Sequence, residues 1–73
     1  MMKTSYKKLW KLLIDRDMTK TDLRKAAGIS SSSLAKLGKD ENITTDVLMK
    51  ICSVLDVELN DIVETVKEEN IDG

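Results

Sequence analysis

Lysines, arginines and hydroxyl side chains carry nearly all the chemistry open to this 73-residue chain, which has 12 Lys+Arg, 13 Asp+Glu, one Cys and no His. Such groups hold a partner by charge and hydrogen bonding; they do not assemble an acid–base centre. Without His there is no ordinary general base near neutral pH, and three scattered glycines make no phosphate-cradling loop. One cysteine closes no intrachain disulfide, and a zinc site would rest on carboxylates alone. Enzymatic turnover is not expected, and no cofactor, metal or small-molecule ligand is implied.

The cations are unevenly placed. Residues 1–39 hold ten basic and three acidic side chains, a net of +7, while residues 40–73 hold two and ten, a net of −8. The formal charge of −1 therefore conceals a basic surface suited to an anionic partner. The longest aliphatic run, Leu12-Leu13-Ile14, is far too short to span a membrane or to form a signal-peptide core. A cytoplasmic protein is expected. At this length one domain is expected, burying about 60% of its unfolded surface.

The elements that must position these groups read as helices. Pro is absent, and Tyr6, Leu9, Trp10 and Leu13 recur at i, i+3, i+4, i+7, with Thr4 or Ser5 as the N-cap. Trp10 and the apolar stripe are expected in the core, with Lys7, Lys8 and Lys11 on a solvated face. Thr19 precedes Asp22 by three residues, a capping-box spacing; Leu23, Ala26 and Ala27 follow, and Gly28 stops the second helix. Ser30 caps a third helix carrying Leu34 and Leu37 inward and ending near Gly38. Thr44 caps a fourth, with Asp46 in its first turn and a stripe of Leu48, Ile51, Cys52 and Leu55. Cys52 is expected to be a buried, inert thiol. Leu59, Ile62, Val63 and Val66 repeat the helical spacing and predict a fifth helix. The expected architecture is an all-α, compact five-helix bundle over residues 1–67, with a frayed tail at 68–73.

The most informative stretch is Thr19 to Leu37. Two helices crossing steeply about a three- or four-residue turn need apolar residues at Leu23 and Ala27, Gly28 in the turn, then Ile29, Leu34 and Leu37. All six positions comply, which is a helix-turn-helix pattern at helices 2 and 3. With the segments M-T-K-T-D-L-R-K-A-A-G-I-S-S-S-S-L-A-K-L and I-T-T-D-V-L-M-K-I-C-S-V-L-D-V-E-L-N-D-I-V-E, the chain resembles the Cro-type (XRE, lambda-repressor-like) family of bacterial and phage DNA-binding proteins. The resemblance spans roughly residues 5 to 66 and is strongest with short single-domain bacterial regulators.

The resemblance implies that the third helix enters the major groove of double-stranded DNA. Carried over by position, Ser31, Ser32, Ala35 and Lys36 would face bases. Thr19, Lys20 and Thr21 would meet phosphates at the second helix, and Lys39, Asn42, Thr44 and Thr45 from the following loop and fourth helix. Arg24 stands where the family usually has a small residue, so its guanidinium should snorkel outward. Asp40 and Glu41 would repel phosphate if turned toward it. The function implied is transcriptional regulation, as a repressor acting through a homodimer whose surface lies around Val63, Val66 and Ile71. The alternative from another class is a protein-interaction module, antitoxin-like or co-regulator, that uses the same fold with little or no DNA binding.

Overall fold

The computed structural model describes residues 2–67. Strand β1 (Met2–Ser5) leads into α1 (Lys7–Asp15), α2 (Lys20–Ala27), α3 (Ser31–Gly38) and α4 (Thr45–Leu55). A single 3₁₀ turn (Leu59–Asp61) then connects to strand β2 (Glu64–Lys67). Four helices and a strand pair thus stand where five helices were expected.

The two ends of the described chain explain the difference. β1 and β2 pair antiparallel, Met2 opposite Lys67 and Ser5 opposite Glu64. Val63, Thr65 and Val66 are β-branched, a composition that favours extended backbone once a partner strand is available. Their helical spacing with Leu59 and Ile62 is accommodated by one 3₁₀ turn, which buries Ile62 and leaves Leu59 40% exposed. Thr4 and Ser5, expected as caps, lie in β1 instead. Tyr6 occupies the N-cap of α1 and makes no side-chain cap bond. The tail expected to fray, with Ile71, falls outside the described residues.

The three remaining helix starts follow local rules. Thr19 and Asp22 close a capping box, each accepting from the other's backbone N–H at 3.0 Å. Ser30 Oγ accepts from Ser33 N at 3.1 Å, and Thr44 Oγ1 from Val47 N at 3.4 Å. Each such cap is worth about 1 kcal/mol. The helix ends share another device: Gly28 has φ 68°, and Asp17, Asp40 and Asp56 have φ 58°, 56° and 56°. Left-handed backbone is costless for Gly and tolerated best, among residues with a side chain, by Asn and Asp. Gly28 needs this freedom most, because Ile29 must turn inward immediately after it and is 5% exposed.

Asp56 combines left-handed strain with a carboxylate at the negative end of α4, an unfavourable place for an anion. Asp56→Gly removes both penalties. Thermal unfolding should show a gain of about 0.5–1 kcal/mol; an unchanged or lower midpoint would mean that the carboxylate has a compensating partner.

Tyr6, Leu9, Leu13, Leu23, Ile29, Leu37, Leu48, Ile51, Cys52, Leu55 and Ile62 form one core, drawn from α1 to α4 and from residues that flank the helices and the 3₁₀ turn. Polar ties close it. Arg16 donates to the carbonyl of Leu55, capping the end of α4 from α1. Lys8 Nζ reaches the Asn60 carbonyl at 3.1 Å, and the buried Tyr6 hydroxyl donates to the Glu41 carbonyl at 2.9 Å. Burial raises the Tyr6 phenol above its ordinary pKa, with the Asp40 charge adding to the effect. No buried side-chain polar atom lacks a partner among the described residues.

Candidate nucleic-acid interface

A helix advances about 100° per residue, so Ser31, Ser32, Ala35 and Lys36 share one arc of α3 about 140° wide. All four are exposed. Ser33, Leu34 and Leu37 lie on the opposite side, where Leu37 is fully buried and Leu34 half-buried. The four serines divide accordingly. Ser30 caps the helix and its hydroxyl also donates to Ser33 Oγ at 3.1 Å, so those two are spent on structure. Ser31 and Ser32 make no side-chain hydrogen bond among the described residues and keep their donors and acceptors for a partner.

α2 stands before α3, separated by Gly28, Ile29 and Ser30, and packs against both α3 and α4. Thr19, Lys20 and Thr21 are all exposed at its start. Thr19 is already engaged: its N–H donates to Asp22 and its Oγ1 accepts from Asp22. Only its hydroxyl proton is left to donate. The Thr19 backbone N–H holds the Asp22 carboxyl below its usual pKa, with the Thr19 hydroxyl and Lys25 assisting. Lys20 has no carboxylate partner among the described residues; its Nζ lies 4.4 Å from the centroid of the Trp10 ring. Trp10 was expected inside the core. It stands half-buried at its rim, packed against it.

Lys39, Asn42, Thr44 and Thr45 are exposed beyond α3. Asn42 Oδ1 accepts from Thr4 Oγ1 at 3.0 Å, which leaves its amide N–H groups as free donors. Asp40 is exposed, and its Oδ1 accepts from the N–H of Tyr6 at 3.1 Å, just before α1. Arg24 is half-buried within α2 and forms no ion pair among the described residues. The one described ion pair, Lys50 with Asp46 at 3.4 Å, lies on α4. The lysines of α2 and α3 are therefore uncompensated by salt bridges within the described residues.

Sequence reasoning passed over two structural neighbours of this surface. Thr4 of β1 and Tyr6 at the N-cap of α1 support the loop after α3, and Trp10 lies under Lys20; neither contact leaves a local signal in the sequence. Elsewhere the chemistry is sparse. Cys52 is 8% exposed, and burial raises its thiol pKa, with Glu58 and Asp61 adding to the rise, so it is a poor nucleophile at neutral pH. No group of three or more metal-ligating side chains occurs among the described residues, and no described helix is long and apolar enough to cross a membrane.

The sequence profile of Cro/C1-type helix-turn-helix DNA-binding domains matches residues 8–68. The crystal structure of the transcriptional regulator VanUg (Form II) is similar to this chain, with a TM-score of 0.89 and 55% identity. That similarity covers 92% of this chain and 89% of the other. No curated protein matches the chain.

Proposed function

This chain belongs to the Cro/C1-type helix-turn-helix DNA-binding family, and from that premise we propose that it is a sequence-specific transcriptional regulator of double-stranded DNA. It acts as a repressor, occupying an operator as a homodimer. One eight-residue recognition helix spans few base pairs; two-fold pairing places two of them in successive major grooves about 34 Å apart. The family and the likeness to a transcriptional regulator support the regulatory reading. The observation that carries the DNA contact is the exposed arc of α3, whose hydroxyls and ammonium are free of internal bonds.

In this reading Ser31, Ser32, Ala35 and Lys36 face base edges. Serine donates or accepts and discriminates weakly, Ala35 suits a thymine methyl, and Lys36 can donate to guanine O6 and N7. Thr19, Lys20 and Thr21 hold phosphates before α3, while Lys39, Asn42, Thr44 and Thr45 hold them after it. The acidic second half keeps the far side of the domain off DNA. The dimer surface lies near Val63 and Val66, both half-buried at the 3₁₀ turn and β2.

Titration of labelled duplex at several salt concentrations tests the reading. Log K should fall linearly with log salt, with a slope set by the number of neutralised phosphates. Failure to bind any duplex near 50 mM salt would falsify DNA binding. Selection of bound duplexes from a random pool then gives the half-sites and their spacing. Against that selected site, Lys36→Ala should cost about 1–3 kcal/mol and relax preference at one base pair. Equal weakening on every sequence would make Lys36 a phosphate contact instead.

A protein-interaction module is the second reading, favoured by one observation. An apolar groove of about 400 Å³ beside Leu59 and Val63 has Glu58 and Glu64 in its walls, away from α3. A monomer that shifts to a larger species with a protein partner while ignoring duplex would support it.

A further inference from the structure

We propose that Trp10 is a positioning residue for DNA binding, its indole face holding the Lys20 ammonium in place at the start of α2. The inference rests on the DNA-binding reading above and concerns how one phosphate contact is prepared. Lys20 is the first residue of α2, exposed, and its Nζ lies 4.4 Å from the Trp10 ring centroid, inside the range of cation–π attraction. Trp10 is fixed by its packing against the core from α1. Leu13, Ile14 and Met18 line one apolar pocket together with Trp10 and Lys20, a surface on which a lysine stem can lie.

The nature of the partner matters. A carboxylate would hold the ammonium equally well but would neutralise it and compete with phosphate. The nearest acid in sequence, Asp22, is instead occupied by the Thr19 backbone. An aromatic face attracts the cation without cancelling its charge, and it leaves the far side of the ammonium open. Lysine otherwise loses much rotamer freedom on binding a phosphate. Held over Trp10, part of that freedom is already lost in the free protein, so the contact forms more tightly.

The test is a double-variant cycle on the intact protein, read as affinity for a duplex of about 20 base pairs carrying both half-sites. Trp10→Leu should weaken binding about two- to five-fold, the range of an exposed cation–π contact. Lys20→Gln should weaken it further and lower the salt slope by about one. In the Lys20→Gln background, Trp10→Leu should cause no additional loss. Trp10→Phe, which keeps an aromatic face, should retain most of the affinity, and Trp10→Met supplies the non-aromatic arm of the cycle should the leucine variant unfold. Losses that simply multiply, or an unaffected Trp10 variant, overturn the inference while leaving DNA binding intact. If the wild-type protein binds no duplex, the functional reading falls and takes the inference with it.

Discussion

Ser32→Glu should abolish duplex binding while leaving the fold intact or slightly firmer. The two effects have opposite signs because the same position faces two electrostatic environments. Ser32 is the second residue of α3, after the Ser30 cap and Ser31. A carboxylate in the first turn of a helix interacts favourably with the unpaired N–H groups there, by about 0.3–1 kcal/mol. α3 has no acidic residue in its first turn, so nothing already fills that role. In the complex the same carboxylate would enter a groove walled by phosphates and lose its water. Charges of one sign brought together at an interface cost several kcal/mol. The expected loss of affinity is therefore at least about 100-fold at 0.1 M salt, with a thermal midpoint equal to or above that of the wild type. Ser33→Glu is the informative contrast: Ser33 receives the Ser30 cap and is half-buried, so its main effect should be on stability. Retention of affinity by Ser32→Glu would remove α3 from the DNA groove.

The same serines show why parts of this molecule were legible before its structure. Thr19, Ser30 and Thr44 announce helix starts because the cap and the N–H it serves lie three residues apart in sequence. Gly28 announces a stop for an equally local reason, its left-handed backbone. Core positions on α2 to α4 follow from a periodicity that a few residues suffice to establish. The strand pair had no such signal. Met2 finds Lys67 across nearly the whole chain, and a four-residue segment gains from extended backbone only when its partner arrives. In isolation, Leu59 to Val66 satisfied helical spacing while its β-branched residues pointed the other way; long-range pairing decided between them. The candidate interface divides in the same manner. Exposure of Ser31, Ser32, Ala35 and Lys36 follows from the burial of Leu37 on the other face. The engagement of Thr19 follows from its capping-box spacing to Asp22, whereas that of Asn42 and Asp40, and the seat of Lys20 on Trp10, depend on contacts between elements.

Leu37→Ala should separate the fold of this protein from its chemistry in the opposite sense to Ser32→Glu. Leu37 is completely buried, and it is the residue of α3 that joins the core shared with Leu23, Ile29, Ile51 and Leu55. Truncating a buried leucine costs about 2–5 kcal/mol, because the lost transfer energy is joined by an unfilled cavity. A domain of this size has a total stability of roughly 4–10 kcal/mol, so the loss is a large share of the whole. A central value near 3 kcal/mol corresponds to a fall of about 12–24 °C in midpoint for a chain in this size class. Lys36 and Ser32 are chemically unchanged in this variant. Its duplex affinity should therefore drop in proportion to the folded population as temperature rises and recover on cooling toward the temperature of maximum stability. Ser32→Glu should show no such recovery, since its deficit belongs to the folded state. A Leu37→Ala protein that melts within a few degrees of wild type would mean that α3 is not held by this side chain. A well-folded variant that still fails to bind would mean that Leu37 sets the angle of α3 as well as its attachment.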